Sequence, residues 1–148
     1  MCNCNSIKLK SFFKEGEYTR VLTLPDGQAL AEGKDVLTYL YKNKKFIGVQ
    51  IDSTLKYQDG TERIYKNILN ICGIFKQTDN LLRNVKGHWV YSFKTGIFCT
   101  TLKGVDGLGV PISGKYNAQK NGNDYTEQYY ENINKKCTLF YNANITKI

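Results

Sequence analysis

The chain has 148 residues, a formal net charge of +8 and 41% hydrophobic residues. A chain of this size buries about 68–70% of its unfolded surface, enough for one domain with its own core. No run approaches the ~20 apolar residues of a membrane span, and residues 1–14 lack the apolar stretch of a secretory signal. The expectation is therefore a soluble protein with no membrane partner, placed in a host cytoplasm or within a virion.

In chain order, residues 1–5 read as a short polar tail and 6–148 as one globular domain. Residues 7–13 and 18–24 alternate as strands, with Lys14-Glu15-Gly16-Glu17 as the turn between them. Residues 34–43 read as a short helix capped by Asp35, although Leu37, Tyr39 and Tyr41 also alternate as a strand would. Residues 46–51 are a strand leading into the clearest local signal, a hairpin over 54–65. There Leu55 and Tyr57 alternate with polar neighbours, and Asp59-Gly60 supplies a reversal of the two-residue type I′ kind.

Residues 67–77 carry a continuous apolar strand with a bend at Gly73. Residues 78–86 read as a helix with Thr78 as N-cap, Asp79 in the first turn and Gly87 as the stop. Residues 89–102 form a second hairpin around Lys94-Thr95-Gly96. The Gly- and Asn-rich stretch at about 104–123 reads as a mobile loop. Residues 124–136 read as the strongest helix, with an Asp124-x-x-Glu127 start and Tyr125, Tyr129 and Ile133 at four-residue spacing. Residues 137–145 close the chain as a strand. The fold class predicted is α+β: an antiparallel, hairpin-rich sheet or small barrel with two or three short helices.

Lysine supplies 18 of the 21 positive residues, and the only arginines are Arg20, Arg63 and Arg83. Lysine is a point charge without the planar fork that reads base edges, which argues against sequence-specific nucleic-acid readout and leaves general attraction to polyanions. A bias toward AT-rich codons also accounts for the Lys, Asn, Ile and Tyr content. Aromatic and basic residues interleave twice, and the candidate nucleic-acid or anion-binding residues are Lys42, Lys44, Lys45, Phe46, Trp89, Tyr91, Lys94, Lys103 and Lys115.

Five cysteines at wide spacing do not make a disulfide scaffold. Cys72, Cys99 and Cys137 read as free thiols in apolar surroundings, which points to a reducing compartment. Cys2 and Cys4 form a Cys-x-Cys pair and are the only candidate metal or redox ligands. Residues 109–115 match the first seven positions of a phosphate-binding loop, but Tyr116 replaces the hydroxyl that would ligate magnesium. His88 is the sole histidine, and hairpin register places it away from Cys99. No paired carboxylates stand out, and no cofactor is implied.

These readings favour a non-catalytic protein–protein interaction or assembly protein, such as a viral or phage particle component or host-interacting factor, with self-association or a protein partner. The alternative is a nucleic-acid or nucleotide-binding module on the Lys/aromatic strands. A thiol-dependent enzyme is the third reading.

Overall fold

In the computed structural model, which describes the backbone of residues 3–148 and side chains from Ser6 onward, one helix precedes ten strands. The helix is α1 (Asn3–Phe12). The strands are β1 (Gly16–Thr23), β2 (Ala29–Lys42), β3 (Lys45–Tyr57), β4 (Glu62–Asn70) and β5 (Ile74–Asp79), followed by β6 (Asn84–Ser92), β7 (Ile97–Val105), β8 (Pro111–Asn121), β9 (Asp124–Ile133) and β10 (Lys136–Lys147). Each strand pairs antiparallel with the next, and β1 pairs with β10, so the sheet closes into a barrel. Closure leaves no edge strand with unpaired backbone groups.

The α+β expectation is corrected by this topology: the protein is almost all sheet, and its one helix lies where the sequence read a strand. Leu9, Phe12 and Phe13 sit at i, i+3 and i+4, the spacing of one helix face, and all three are buried. The expected helix at 34–43 is part of β2, where Asp35 and Leu37 point inward. The expected helix at 78–86 is the end of β5, a tight turn and the start of β6. The expected helix at 124–136 is β9 and its turn.

The single strand read over 67–77 is two strands, reversing at a turn that contains Gly73 (φ 86°). The expected mobile loop at 104–123 is the end of β7, a short turn and the whole of β8. The hairpins at 54–65 and 89–102 are present as β3–β4 and β6–β7. The first does not use a type I′ turn, because only Gly60 of the Asp59-Gly60 pair has positive φ. Gln58 to Thr61 form a longer loop, with Asp59 Oδ1 accepting from Thr61 N at 2.9 Å.

An up-and-down barrel puts alternate turns at alternate ends. The turns after β2, β4, β6 and β8 share one end with α1, which covers it. Phe12 stacks on Phe98 (5.0 Å between centroids) and leans on Tyr91 and Tyr125. Tyr125 Oη donates to Phe12 O (2.7 Å), Tyr39 Oη to Phe13 O (2.7 Å) and Lys120 Nζ to Ser11 O (3.2 Å). These bonds satisfy carbonyls at and just after the end of the helix, which would otherwise go unpaired. This is the capped end. The other is called the rim.

Candidate binding surfaces on the barrel

The barrel interior is a largely apolar core that carries a buried polar network. Arg20 Nε donates to Asp35 Oδ2 (2.9 Å) and Nη1 to Glu127 Oε1 (2.8 Å). Gln77 Nε2 donates to Asn67 Oδ1 (2.8 Å) and Tyr116 Oη (3.0 Å), while its Oε1 accepts from Arg83 Nε (2.8 Å). Arg83 Nη2 continues to Tyr129 Oη (2.9 Å), which donates to Glu131. Burial pushes the Tyr65, Tyr116, Tyr129 and Tyr141 phenols above their ordinary range. Buried charges survive where each finds a partner, and here Arg20 and Arg83 do.

Between this network and Phe13, Phe75 and Phe98 remains a cavity of about 70 Å³. Drug-sized ligands occupy roughly 300–1,000 Å³, whereas a few waters fit this space. The interior is a core rather than a ligand chamber.

The candidate residues from the sequence separate into two places on the outside. Lys42, Lys44, Lys45, Phe46, Trp89, Tyr91 and Lys94 all gather at the capped end, although 52 positions separate the first from the last. The lysines Lys42, Lys44, Lys45 and Lys94 are exposed, but the aromatic half of the expectation needs correction. Trp89 is 3% exposed, stacked on Phe98 at 5.0 Å with its indole N–H donating to Asn70 O. Phe46 and Tyr91 are half-buried. The accessible rings are Phe93 (73% exposed) and Tyr41 (55%).

Around them the capped end adds Lys8, Lys10, Lys14, Lys120 and Lys147, giving nine lysines against the carboxylates of Glu15, Glu17 and Asp124. Lys10 Nζ lies over the rings of Tyr39, Tyr41 and Phe46 at 5.4–5.7 Å, and Lys8 Nζ over Phe93 at 5.5 Å. Desolvation lowers the Lys120 ammonium, with the neighbouring Lys14 acting in the same direction. The helix lysines were missed as site residues because a strand at 7–13 would not have put them beside 42–45. The Leu9–Phe12–Phe13 spacing was the available signal.

Lys103 and Lys115 lie elsewhere, on the outer wall. They line a groove of about 830 Å³ with Lys86, His88 and Ser113, over a floor of Gly87, Leu102 and Gly114. Register makes Lys76, Lys86 and Lys103 direct neighbours across β5, β6 and β7.

The cysteine expectations change. Cys99 and Cys137 are free, but Cys72 is disulfide-bonded and its residue is exposed. Disulfides persist in oxidising surroundings, so the cysteines no longer argue for a reducing compartment. Cys99 is paired in register with Val90 while His88 is paired with Thr101, and burial pushes the Cys99 thiol up rather than down. A nucleophilic cysteine needs the opposite shift.

The Cys2 and Cys4 side chains lie outside the described residues. Among the described residues no group of three or more His, Cys, Asp or Glu is placed to hold a metal ion. Residues 111–115 of the apparent phosphate loop are extended strand, so no backbone cradle forms there. No helix among the described residues is long and apolar enough to cross a membrane. No protein-family model matches the chain, and no curated protein shows significant similarity to it.

Proposed function

We propose that the protein is a non-catalytic binding module whose capped end takes a polyanionic partner, with single-stranded nucleic acid as the representative chemistry. The observation carrying this reading is the convergence of nine lysines and two exposed rings on one end of the barrel, with only three carboxylates among them. Phosphate neutralisation supplies sequence-independent affinity, and exposed aromatic faces add stacking that tolerates any base. Lysine-rich, arginine-poor chemistry suits attraction without readout.

A protein partner or self-association is the competing reading. A closed barrel offers no free sheet edge for strand addition, which leaves that reading without its simplest structural route. The polyanion reading therefore has the better support.

The test is fluorescence anisotropy of a labelled single-stranded 20-mer across a salt series. Affinity should fall steeply with salt, by about 0.7 in the log–log slope per phosphate neutralised. The K42A/K44A/K45A/K94A variant should flatten that slope by about 2–3. Phe93→Ala should weaken binding without changing the slope. Absence of binding at low salt, or an unchanged slope in the quadruple variant, overturns the proposal.

A further inference from the structure

The outer wall holds a second concentration of charge that the capped end does not explain. Lys76, Lys86 and Lys103 stand directly opposite one another on three successive strands, all exposed. Like charges in directly opposed cross-strand positions are destabilising, and none of these three is within ion-pair distance of a carboxylate in the described structure. Two register positions away, on the same outer face, runs a second row, His88 opposite Thr101 opposite Lys115. Lys115 Nζ lies 5.2 Å from the Tyr130 ring centroid rather than beside an acid.

Between the two rows the wall is depressed, and the glycines explain why. A Cβ at Gly87 would come within 1.7 Å of Thr101 O, and one at Gly114 within 2.3 Å of Tyr130 O. Only glycine lets the adjoining strands close so tightly, and the sheet bends around these points. The resulting groove has Gly87 and Gly114 along its floor, the apolar Ile74 side chain beside them, donor side chains on its walls, and no carboxylate in its lining. Leu102, between the two glycines, turns its own side chain into the barrel. At about 830 Å³ it falls within the size range of small-molecule sites, unlike the cavity in the core.

From this geometry we infer that the outer groove is a binding site for a small molecule bearing a di- or triphosphate group. The phosphoryl oxygens lie between Lys86, Lys103 and Lys115, with the Ser113 hydroxyl and the His88 ring as further donors. The rest of the ligand lies over the Gly87 and Gly114 floor, against Ile74. The three lysines supply a charge that matches such a group and that a single carboxylate would leave unbalanced. The inference stands apart from the polyanion reading, since no residue is shared between the two surfaces.

The experiment is an amide ¹H–¹⁵N titration of the full chain with two probes, inorganic pyrophosphate and a nucleoside diphosphate. Both should shift the amides of Gly87, Thr101, Lys103, Gly114 and Lys115, and the nucleoside diphosphate should bind more tightly because it also covers the floor. K86A/K103A should weaken both by at least tenfold, and K42A/K44A/K45A/K94A should leave both unchanged. Because Lys86 and Lys103 are exposed, that double variant remains folded, which its thermal melt verifies. Shifts confined to residues 41–46 and 92–96 would assign phosphate binding to the capped end and overturn the groove. Saturating shifts at the groove with unchanged affinity in K86A/K103A would overturn the lysines' role, and no shift with either probe at millimolar concentration would overturn the site.

Discussion

At the rim, four of the five hairpins turn on an aspartate. Asp26, Asp59, Asp79 and Asp106 each accept from backbone amides two to four residues on, at 2.8–2.9 Å. At the capped end none of the four turns contains an aspartate; one is Asn43-Lys44, with both residues at positive φ, and another carries Lys94. One end therefore spends its charged side chains on its own turns, and its carboxylates and cations are nearly balanced. The other ties Lys120 and Lys147 to backbone carbonyls and leaves Lys14, Lys42, Lys44, Lys45 and Lys94 exposed. Charge that serves no turn and meets few carboxylates is charge available to a partner.

The packing differs in the same sense. The capped end is held by α1, whose Phe12 and Phe13 fit among Phe98, Tyr91 and Tyr125. The rim instead exposes Leu82 (78%) and Leu108 (90%) at its turn tips. Phe12→Ala should cost about 3–5 kcal/mol in urea unfolding by opening a cavity under the helix. Leu108→Ala should fall within about 0.5 kcal/mol of the parent. Equal effects would mean that α1 is an appendage and the capped end is no more firmly built than the rim.

Alkaline pH probes the core that both ends share. The interior phenols have folded-state values raised by burial above those of the unfolded chain. Their contribution is complete below the unfolded value of about 10 and is lost as pH rises above it. Each group should remove up to about 1.4 kcal/mol per pH unit there, so denaturant midpoints should hold to about pH 9 and then fall sharply. A midpoint that declines evenly from pH 7 would show that other groups dominate.

Lys44 has a φ of 65° that a lysine adopts at a cost of roughly 1–2 kcal/mol. The Asn134-Lys135 turn at the rim repeats it with Lys135 at 64°, so the two turns differ in their surroundings and not in their backbone. Lys44→Gly should raise stability by about 1 kcal/mol while weakening polyanion binding. A variant that gains stability without losing affinity would remove Lys44 from the binding surface. The smallest effect expected is from the outer ladder: Lys86→Thr should stabilise by about 0.2–1 kcal/mol at low salt, the gain shrinking as salt screens the repulsion.

The misread elements share one cause, which is that several helix signals are also strand signals. Tyr125, Tyr129 and Ile133 are four residues apart, and a four-residue spacing keeps one face in a helix and in a strand alike. Asp79 accepts from Leu81 N and Arg83 N as an N-cap would, yet the chain turns back instead of coiling. Asp124 and Glu127 resemble a capping box, but their oxygens serve Lys147 N on β10 and Arg20 on β1. Only tertiary partners separate these outcomes. The glycines at 104 and 114 looked like flexibility, whereas each lies where the next strand's backbone comes too close for a Cβ.

The hairpins were legible because turn chemistry is local. The lysines were legible one by one, but their grouping was not. Residues 42–45, 94 and 120 meet only because a closed meander returns every second turn to the same end.

The central claim, that the capped end is the binding end, is tested most directly by mapping. An amide ¹H–¹⁵N titration with a single-stranded oligonucleotide should shift residues 6–14, 41–46 and 92–96 and spare the turns at 24–28, 58–61 and 106–110. Shifts at the rim turns, or none at the capped end, would contradict the account.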